Sequence, residues 1–133
     1  MAGYSQTPLQ QKLGLKEGQR VRFIDSPTEL NNWLHKLPEV KLTMRAPYDF
    51  VLLFVNKTEL LEGWLVKLRN QLNQTGMIWV AWYKKAAKKP TELTEDIIRD
   101  IALPLGFVDV KVCAISEEWS GLKLVIRVTE RKK

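Results

Sequence analysis

A lysine-rich segment in the second half of the chain carries the side chains best suited to binding chemistry. Four lysines occupy six consecutive positions between an aromatic apolar run and a helix start: Lys84, Lys85, Lys88 and Lys89. Ammonium groups beside the free amides of a helix N-terminus attract phosphate and carboxylate groups. With the hydroxyls of Thr91 and Thr94, these lysines are predicted to bind an anionic ligand. The other interpretation is a solvated loop that only keeps the protein soluble.

A second set of polar and aromatic residues lies where strands are expected to end. Ligands of open α/β sheets bind beyond the carboxyl ends of the strands. Six side chains are therefore the predicted lining of a pocket: Asp25, Ser26, Asn56, Trp82, Trp119 and Ser120. Ser26 is better explained as a helix cap than as a catalytic hydroxyl. Trp119 either folds back over the sheet or faces a partner, and the folded position is favoured.

Other chemistries are excluded by what the chain lacks. Cys113 is the only cysteine and His35 the only histidine, so a disulfide, a thiolate cluster and a two-histidine metal site are all impossible within one chain. We expect Cys113 to be buried in a strand and His35 to lie on the surface. No nucleophile elbow, Walker loop or GxGxxG motif is present. No catalytic residue, metal or cofactor is therefore predicted, and Asp25 or Asp49 would act only if the chain were an enzyme.

Length and charge indicate one ordinary globular domain. The chain has 133 residues, 45% of them hydrophobic and 27% charged, with a net charge of +6. Residues 1–133 are predicted to form a single domain with a helical arm at 1–18 and a basic tail at 129–133. The four lysines and three basic tail residues carry more positive charge than the whole chain has in excess, so the rest is nearly neutral. We therefore expect an anionic small molecule or a protein as partner, and a nucleic acid is less well supported.

No segment looks suited to a membrane, so a cytoplasmic protein is expected. The longest unbroken apolar run, residues 50–55, is far too short to span a bilayer.

Four helices are predicted from capping signatures and apolar stripes. The caps are Thr7, Ser26, Asn56 and Thr94, each followed by residues typical of a first helical turn. Gly14, Pro38, Gly76 and Gly106 are predicted to end these helices. Strands are predicted at residues 21–25, 40–44, 50–55, 77–83, 108–115 and 122–128.

The pattern of apolar residues then indicates the fold class. Residues 50–55 and 77–83 are apolar at nearly every position, which is typical of parallel strands covered on both faces. Residues 108–115 and 122–128 alternate, as expected for an antiparallel hairpin joined by residues 116–121. The prediction is an α/β domain with three layers: a mostly parallel, mixed sheet between helices, ending in an antiparallel hairpin.

Parts of the chain resemble class I, Rossmann-like methyltransferases. Residues 48–52 look like the fourth strand of that superfamily, and residues 72–80 resemble its passage from helix through glycine to the fifth strand. The closing hairpin is similar to its sixth and seventh strands. The turn at residues 23–28 lacks the family's glycines, however, and Met44, Arg45 and Ala46 stand where an acidic residue is expected. By this comparison the cofactor site looks lost.

Nearly the whole chain also resembles a family of small bacterial proteins known only as a domain of unknown function. The resemblance is carried by residues 3–16, 82–85, 90–95, 108–114 and 119–123. It implies that the family shares this fold and uses the lysine-rich segment, Thr91 and the turn at Trp119 for the same purpose. The predicted function is a non-enzymatic binding or regulatory domain that holds an anionic ligand or partner at residues 84–91. The alternative is a divergent S-adenosylmethionine-dependent methyltransferase or another small transferase.

Overall fold

A six-stranded mixed sheet forms the centre of the protein in the computed structural model, which describes residues 7–34 and 36–132. The strands are β1 (Arg20–Ile24), β2 (Lys41–Leu42), β3 (Tyr48–Phe54), β4 (Leu72–Tyr83), β5 (Phe107–Ala114) and β6 (Trp119–Ile126), in the spatial order β2-β1-β3-β4-β6-β5. The first four strands are parallel, and β6 is antiparallel to both β4 and β5. The predicted parallel sheet with a closing antiparallel hairpin is confirmed.

Helices cover both faces of this sheet. They are α1 (Leu9–Leu13), α2 (Leu30–Trp33), α3 (Thr58–Arg69) and α4 (Glu95–Ala102). Leucines of α1 and α2 pack with Phe50 and Leu52 of β3 on one face. Residues of α3 and α4 pack with Val51 and Leu53 on the other. Because β3 is buried on both faces, its side chains are apolar at nearly every position.

The passage from α3 to β4 differs from the prediction. Gly76 was expected to end the helix, but α3 ends at Arg69 and β4 begins at Leu72, which pairs with Tyr48. Gly76 lies inside β4, where an added Cβ would stand 2.9 Å from a Leu72 side-chain carbon and 3.0 Å from the Asp49 carbonyl oxygen. The glycine therefore permits close packing in a strand and is no helix cap.

The helix after β1 is shorter than its apolar stripe predicts. It spans only Leu30–Trp33, and no side chain caps its N-terminus. The expectation that Ser26 is the cap is wrong, because the chain between β1 and the helix first makes a turn in which Asp25 has a φ of 54°.

The edge strand β5 does not keep the predicted alternation of faces. The register with β6 shifts between Asp109 and Lys111, which is the signature of a β-bulge. Val110 and Val112 are each about half exposed, at 52% and 48%. Cys113 was expected to be buried but is only half-buried, since β5 is open along one side.

Both terminal segments are held against the sheet over their described length. The indole Nε1 of Trp79 donates to the Leu13 carbonyl oxygen over 2.7 Å, which fixes the end of α1. At the other end, Arg131 Nε donates to the Ile126 carbonyl and the Lys132 amide donates to Gln74. Within the described ranges, no helix is long and apolar enough to cross a membrane.

Candidate functional site

The carboxyl ends of β1, β3 and β4 meet at one edge of the sheet, beside a cavity of about 750 Å³. That volume lies within the range of roughly 300–1,000 Å³ that is usual for ligand pockets. Helices α1 and α2, the end of β4 and the turn between β5 and β6 enclose it. Its lining consists of Thr7, Leu9, Lys12, Glu29, Trp33, Lys84, Ala114, Ile115, Ser116, Glu117 and Glu118.

The lining of this cavity combines three kinds of chemistry. Trp33 of α2 is half-buried and supplies an aromatic surface. Glu29 and Glu118 supply carboxylates, which accept hydrogen bonds from hydroxyl and ammonium groups. Lys12 and Lys84 supply ammonium groups, which bind carboxylates and phosphates. The cavity can therefore hold a ligand with a planar ring and groups of both charges.

The four predicted lysines separate in the structure. Lys84 is half-buried and lines the cavity, and its amide donates to the Glu118 carbonyl oxygen over 2.8 Å. Lys89 forms an ion pair with the Glu118 carboxylate at 2.9 Å and lies 5.3 Å from the centre of the Tyr83 ring. The hydrogen bond that Lys89 donates to the Glu118 carboxylate raises the pKa of Lys89. Lys85 and Lys88 are exposed, and neither forms an ion pair with another described residue.

The two predicted threonines have local roles. The Thr94 hydroxyl accepts from the Ile97 amide over 3.2 Å and caps α4, as the sequence predicts. The Thr91 hydroxyl accepts from the Leu93 amide over 3.2 Å. Both hydroxyl oxygens therefore bond to backbone amides of their own segment.

Asn56 connects the ends of two strands and the loop behind them. Its side-chain oxygen accepts from the Tyr83 amide, and its carbonyl oxygen accepts from the Glu92 amide, each over 2.8 Å. This residue fixes the edge of the sheet. It lines neither this cavity nor a smaller one of about 310 Å³ that is lined by residues 21–23 and 42–44.

The two predicted pocket tryptophans lie on opposite faces of the sheet. Trp119 belongs to the core beneath α1 and α2, whereas Trp82 belongs to the core beneath α3 and α4. Trp119 is 7% exposed and contacts Phe54 edge-to-face, with 4.9 Å between ring centres, and Tyr83 at 4.3 Å. The folded position of Trp119 is confirmed. Ser120, its neighbour in β6, pairs with Trp82 in the sheet.

The aspartates considered for catalysis lie at opposite ends of the sheet. Asp25 and Ser26 are exposed in the turn after β1, and neither lines the larger cavity. Asp49 was expected near a strand end and lies at the amino end of β3, away from the carboxyl edge that carries the cavity. There it accepts hydrogen bonds from the Arg20 amide and the Asn73 side chain, which is a structural role.

Sequence reasoning found Lys84 but missed most of the cavity. No ligand-binding role was predicted for Lys12, Glu29, Trp33 and Glu117, because each looks like an ordinary helix or turn residue. Glu118 had a usable signal, since it stands beside Trp119 in a turn that follows an alternating strand. His35 falls outside the described residues. Among residues 7–34 and 36–132, no group of histidine, cysteine and acidic side chains could hold a metal ion.

Solved structures with the same fold include S-adenosylmethionine-dependent methyltransferases. One from Aquifex aeolicus has a TM-score of 0.58 at 16% identity, covering 87% of this chain and 86% of that chain. One from Clostridium acetobutylicum has a TM-score of 0.56 at 6% identity, covering 90% and 87%. Magnesium protoporphyrin IX methyltransferase from Synechocystis PCC 6803, solved with bound S-adenosylmethionine, has a TM-score of 0.55 at 13% identity, covering 90% and 74%. The chain has a methyltransferase-like Rossmann fold.

Comparison of the amino-acid sequence with known families and curated proteins finds no relative of this chain. No protein-family model matches the chain, and no curated protein matches it in sequence. The resemblance to a small bacterial family therefore stays a prediction.

The expectation of no cofactor is contradicted by these methyltransferase structures, one of which holds S-adenosylmethionine. That expectation depended on the missing glycines after the first strand and on the missing acidic residue at positions 44–46. In the structure, Asp25 takes a left-handed conformation with a φ of 54° in the turn after β1. Aspartate is one of the few residues that tolerate this conformation, because its short side chain can hydrogen-bond locally.

Proposed function

We propose that the protein is a divergent methyltransferase that binds S-adenosylmethionine in the cavity between α1, α2 and the turn after β5. The observation that carries the proposal is the cavity's mixed lining at the carboxyl edge of a methyltransferase-like sheet. In open α/β sheets, ligands bind at that edge, next to the point where the strand order reverses.

The side chains present fit the chemical groups of this cofactor. Glu29 and Glu118 would accept hydrogen bonds from the ribose hydroxyls and the ammonium group. Lys12 or Lys84 would bind the carboxylate, and Trp33 would stack against the adenine ring. When bound, S-adenosylmethionine supplies an electrophilic methyl group on a positively charged sulfur. The carboxylates of the lining also favour that positive charge.

Titration calorimetry with S-adenosylmethionine and S-adenosylhomocysteine tests the proposal. We expect one molecule to bind per chain, and Glu29→Gln to weaken binding about tenfold or more, because a hydrogen bond to a charged partner is lost. Glu59→Gln is the matched control, since Glu59 is exposed on α3 at the opposite face. Absence of binding to the unaltered chain at millimolar ligand would overturn the proposal. Equal affinity of the Glu29→Gln and Glu59→Gln variants for S-adenosylmethionine would exclude this cavity as the binding site.

A second candidate function is the binding of an anionic ligand at residues 84–91 without catalysis. The half-buried position of Lys84 in the cavity wall favours it. Pairing of Lys89 with Glu118 leaves the other three lysines of the segment to supply the charge. We expect Lys84→Glu combined with Lys85→Glu to abolish pyrophosphate binding while the chain stays folded by circular dichroism. Unchanged pyrophosphate affinity in the double variant would remove this candidate.

A further inference from the structure

Three lysines gather on the sheet face that carries α1, away from the lysine-rich segment. Lys111 of β5 and Lys123 of β6 are direct partners across the antiparallel pair. Side chains of such partners leave the same face, with Cβ atoms about 5 Å apart. Lys16 follows α1 next to Leu15, which packs in the core of this same face. Burial lowers the pKa of Lys123, and the positive charges of Lys111 and Lys16 lower it further. We call these three residues the sheet-face lysines.

The arrangement of these lysines opposes folding. Like charges placed directly opposite each other in a sheet are destabilising. Burial of the Lys123 side chain adds to the cost and is the largest cause of its lowered pKa. No ion pair compensates them, since none of the three pairs with a carboxylate among the described residues. An anion bound from outside the chain would relieve the repulsion.

The sheet-face lysines adjoin the larger cavity along two elements. Strand β5 runs from Lys111 through Cys113 to Ala114, which lines the cavity. Helix α1 ends just before Lys16 and contributes Lys12 to the same lining. A ligand bound by the sheet-face lysines would therefore lie beside the cavity, outside the set of residues that encloses it.

We propose that Lys16, Lys111 and Lys123 form a binding site for a phosphate-bearing ligand. A phosphate group fits better than a single carboxylate, because it carries more charge and offers several acceptor oxygens to three separate ammonium groups. Lysine ammoniums bind phosphate as compact point charges and need no planar geometry. The site does not depend on cofactor binding in the cavity.

Fluorescence and calorimetric titrations with two probes test this site. Tripolyphosphate represents a small ligand, and a single-stranded oligonucleotide of about ten nucleotides represents a phosphodiester backbone. We expect at least one probe to bind, and Lys111→Met combined with Lys123→Met to weaken it about tenfold or more. Lys41→Met combined with Lys57→Met removes the same charge from exposed positions elsewhere and is the matched control.

The results of these titrations distinguish a small phosphate ligand from a nucleic acid, and both from a purely structural role of the lysines. If the Lys111→Met and Lys123→Met substitutions weaken the binding of tripolyphosphate alone, the ligand is a small phosphate compound. If they weaken the binding of the oligonucleotide, the ligand is a nucleic-acid backbone. Failure of both probes to bind the unaltered chain, or equal loss in the control, would overturn the proposal. Thermal unfolding adds a second readout. Relief of repulsion predicts that Lys123→Met melts no lower than the unaltered chain, whereas a purely structural lysine would lower the melting temperature.

Discussion

Close packing around Gly121 shapes the wall of the sheet behind the cavity. This residue lies in β6 on the face covered by α1, between a core indole and the first residue of the β5–β6 turn. An added Cβ would stand 2.8 Å from Ile115 Cδ1 and 3.1 Å from Trp79 Cε3. Trp79 cannot move easily, because its indole nitrogen donates a hydrogen bond to the carbonyl oxygen of Leu13 at the end of α1.

We expect Gly121→Ala to lower the free energy of unfolding by about 1–3 kcal/mol, the usual cost of overpacking a core. Urea denaturation measures the change. Gly63→Ala is the matched control, since a Cβ there would meet nothing within 4 Å. The control should stabilise the chain by up to about 1 kcal/mol, because alanine is the better helix former. Similar effects of the two substitutions would contradict the packing argument.

At the residue scale, the sequence predicts buried strands better than it predicts helix caps or ligand contacts, and of the three N-terminal caps predicted after β1 Thr94 is the one whose side chain caps its helix. Thr94 is recognisable as a cap because its hydroxyl bonds to an amide three residues away. Asp25 could not be recognised as a left-handed residue, because aspartate adopts that conformation only where the surrounding turn requires it. Glu29 and Trp33 acquire a role only when the turn after β5 lies opposite them.

At the element scale, the loop after β4 caps the helix that follows β3. The Glu92 carboxylate accepts from the Thr58 amide over 2.8 Å, at the start of α3. The carbonyl oxygen of Asn56, two residues before Thr58, accepts a hydrogen bond from the Glu92 amide. The sequence predicts the start of α3 from Asn56, but the side chain that caps the helix comes from a distant loop. Local capping patterns cannot reveal such a partner.

Glu92→Ala should therefore destabilise the chain by about 1 kcal/mol, the typical cost of losing an N-terminal cap. The same substitution at Glu62 is the control, because Glu62 is exposed on α3 and its side chain makes no described hydrogen bond. Chemical denaturation of both variants gives the comparison. Hydrogen exchange at the first turn of α3 should rise in Glu92→Ala alone. Unchanged exchange there would show that the cap contributes nothing.

At the scale of the whole molecule, the pattern of apolar residues in the strands is enough to predict the sheet but does not predict the cavity. Apolar runs in β3 and β4 indicate burial on both faces, and that property decides the class of fold. The cavity depends on α1, α2 and the β5–β6 turn, which lie far apart in the chain. Their relative placement follows from packing on one face of the sheet. No local pattern records it.

The charge of the molecule is also distributed in a way that composition hides. Glu118 neutralises Lys89 within the lysine-rich segment, whereas Lys123 on the sheet face is partly buried and subject to the positive charges of Lys111 and Lys16. The first arrangement raises the pKa of a lysine, and the second lowers one. The two lysines should therefore respond to alkaline pH with opposite signs.

Stability measured from neutral pH to about pH 11 should show these opposite signs. Lys89 holds its proton more tightly in the folded chain, so its contribution is present below the ordinary lysine pKa and is lost as pH rises through the raised value. Lys123 releases its proton more easily when folded, so its penalty declines as pH rises through the lowered pKa toward the ordinary value. Relative to the unaltered chain, Lys89→Met should lose less stability on the alkaline side, and Lys123→Met should lose more. Denaturant titrations at several pH values give both differences, and differences of the same sign would contradict the assigned environments.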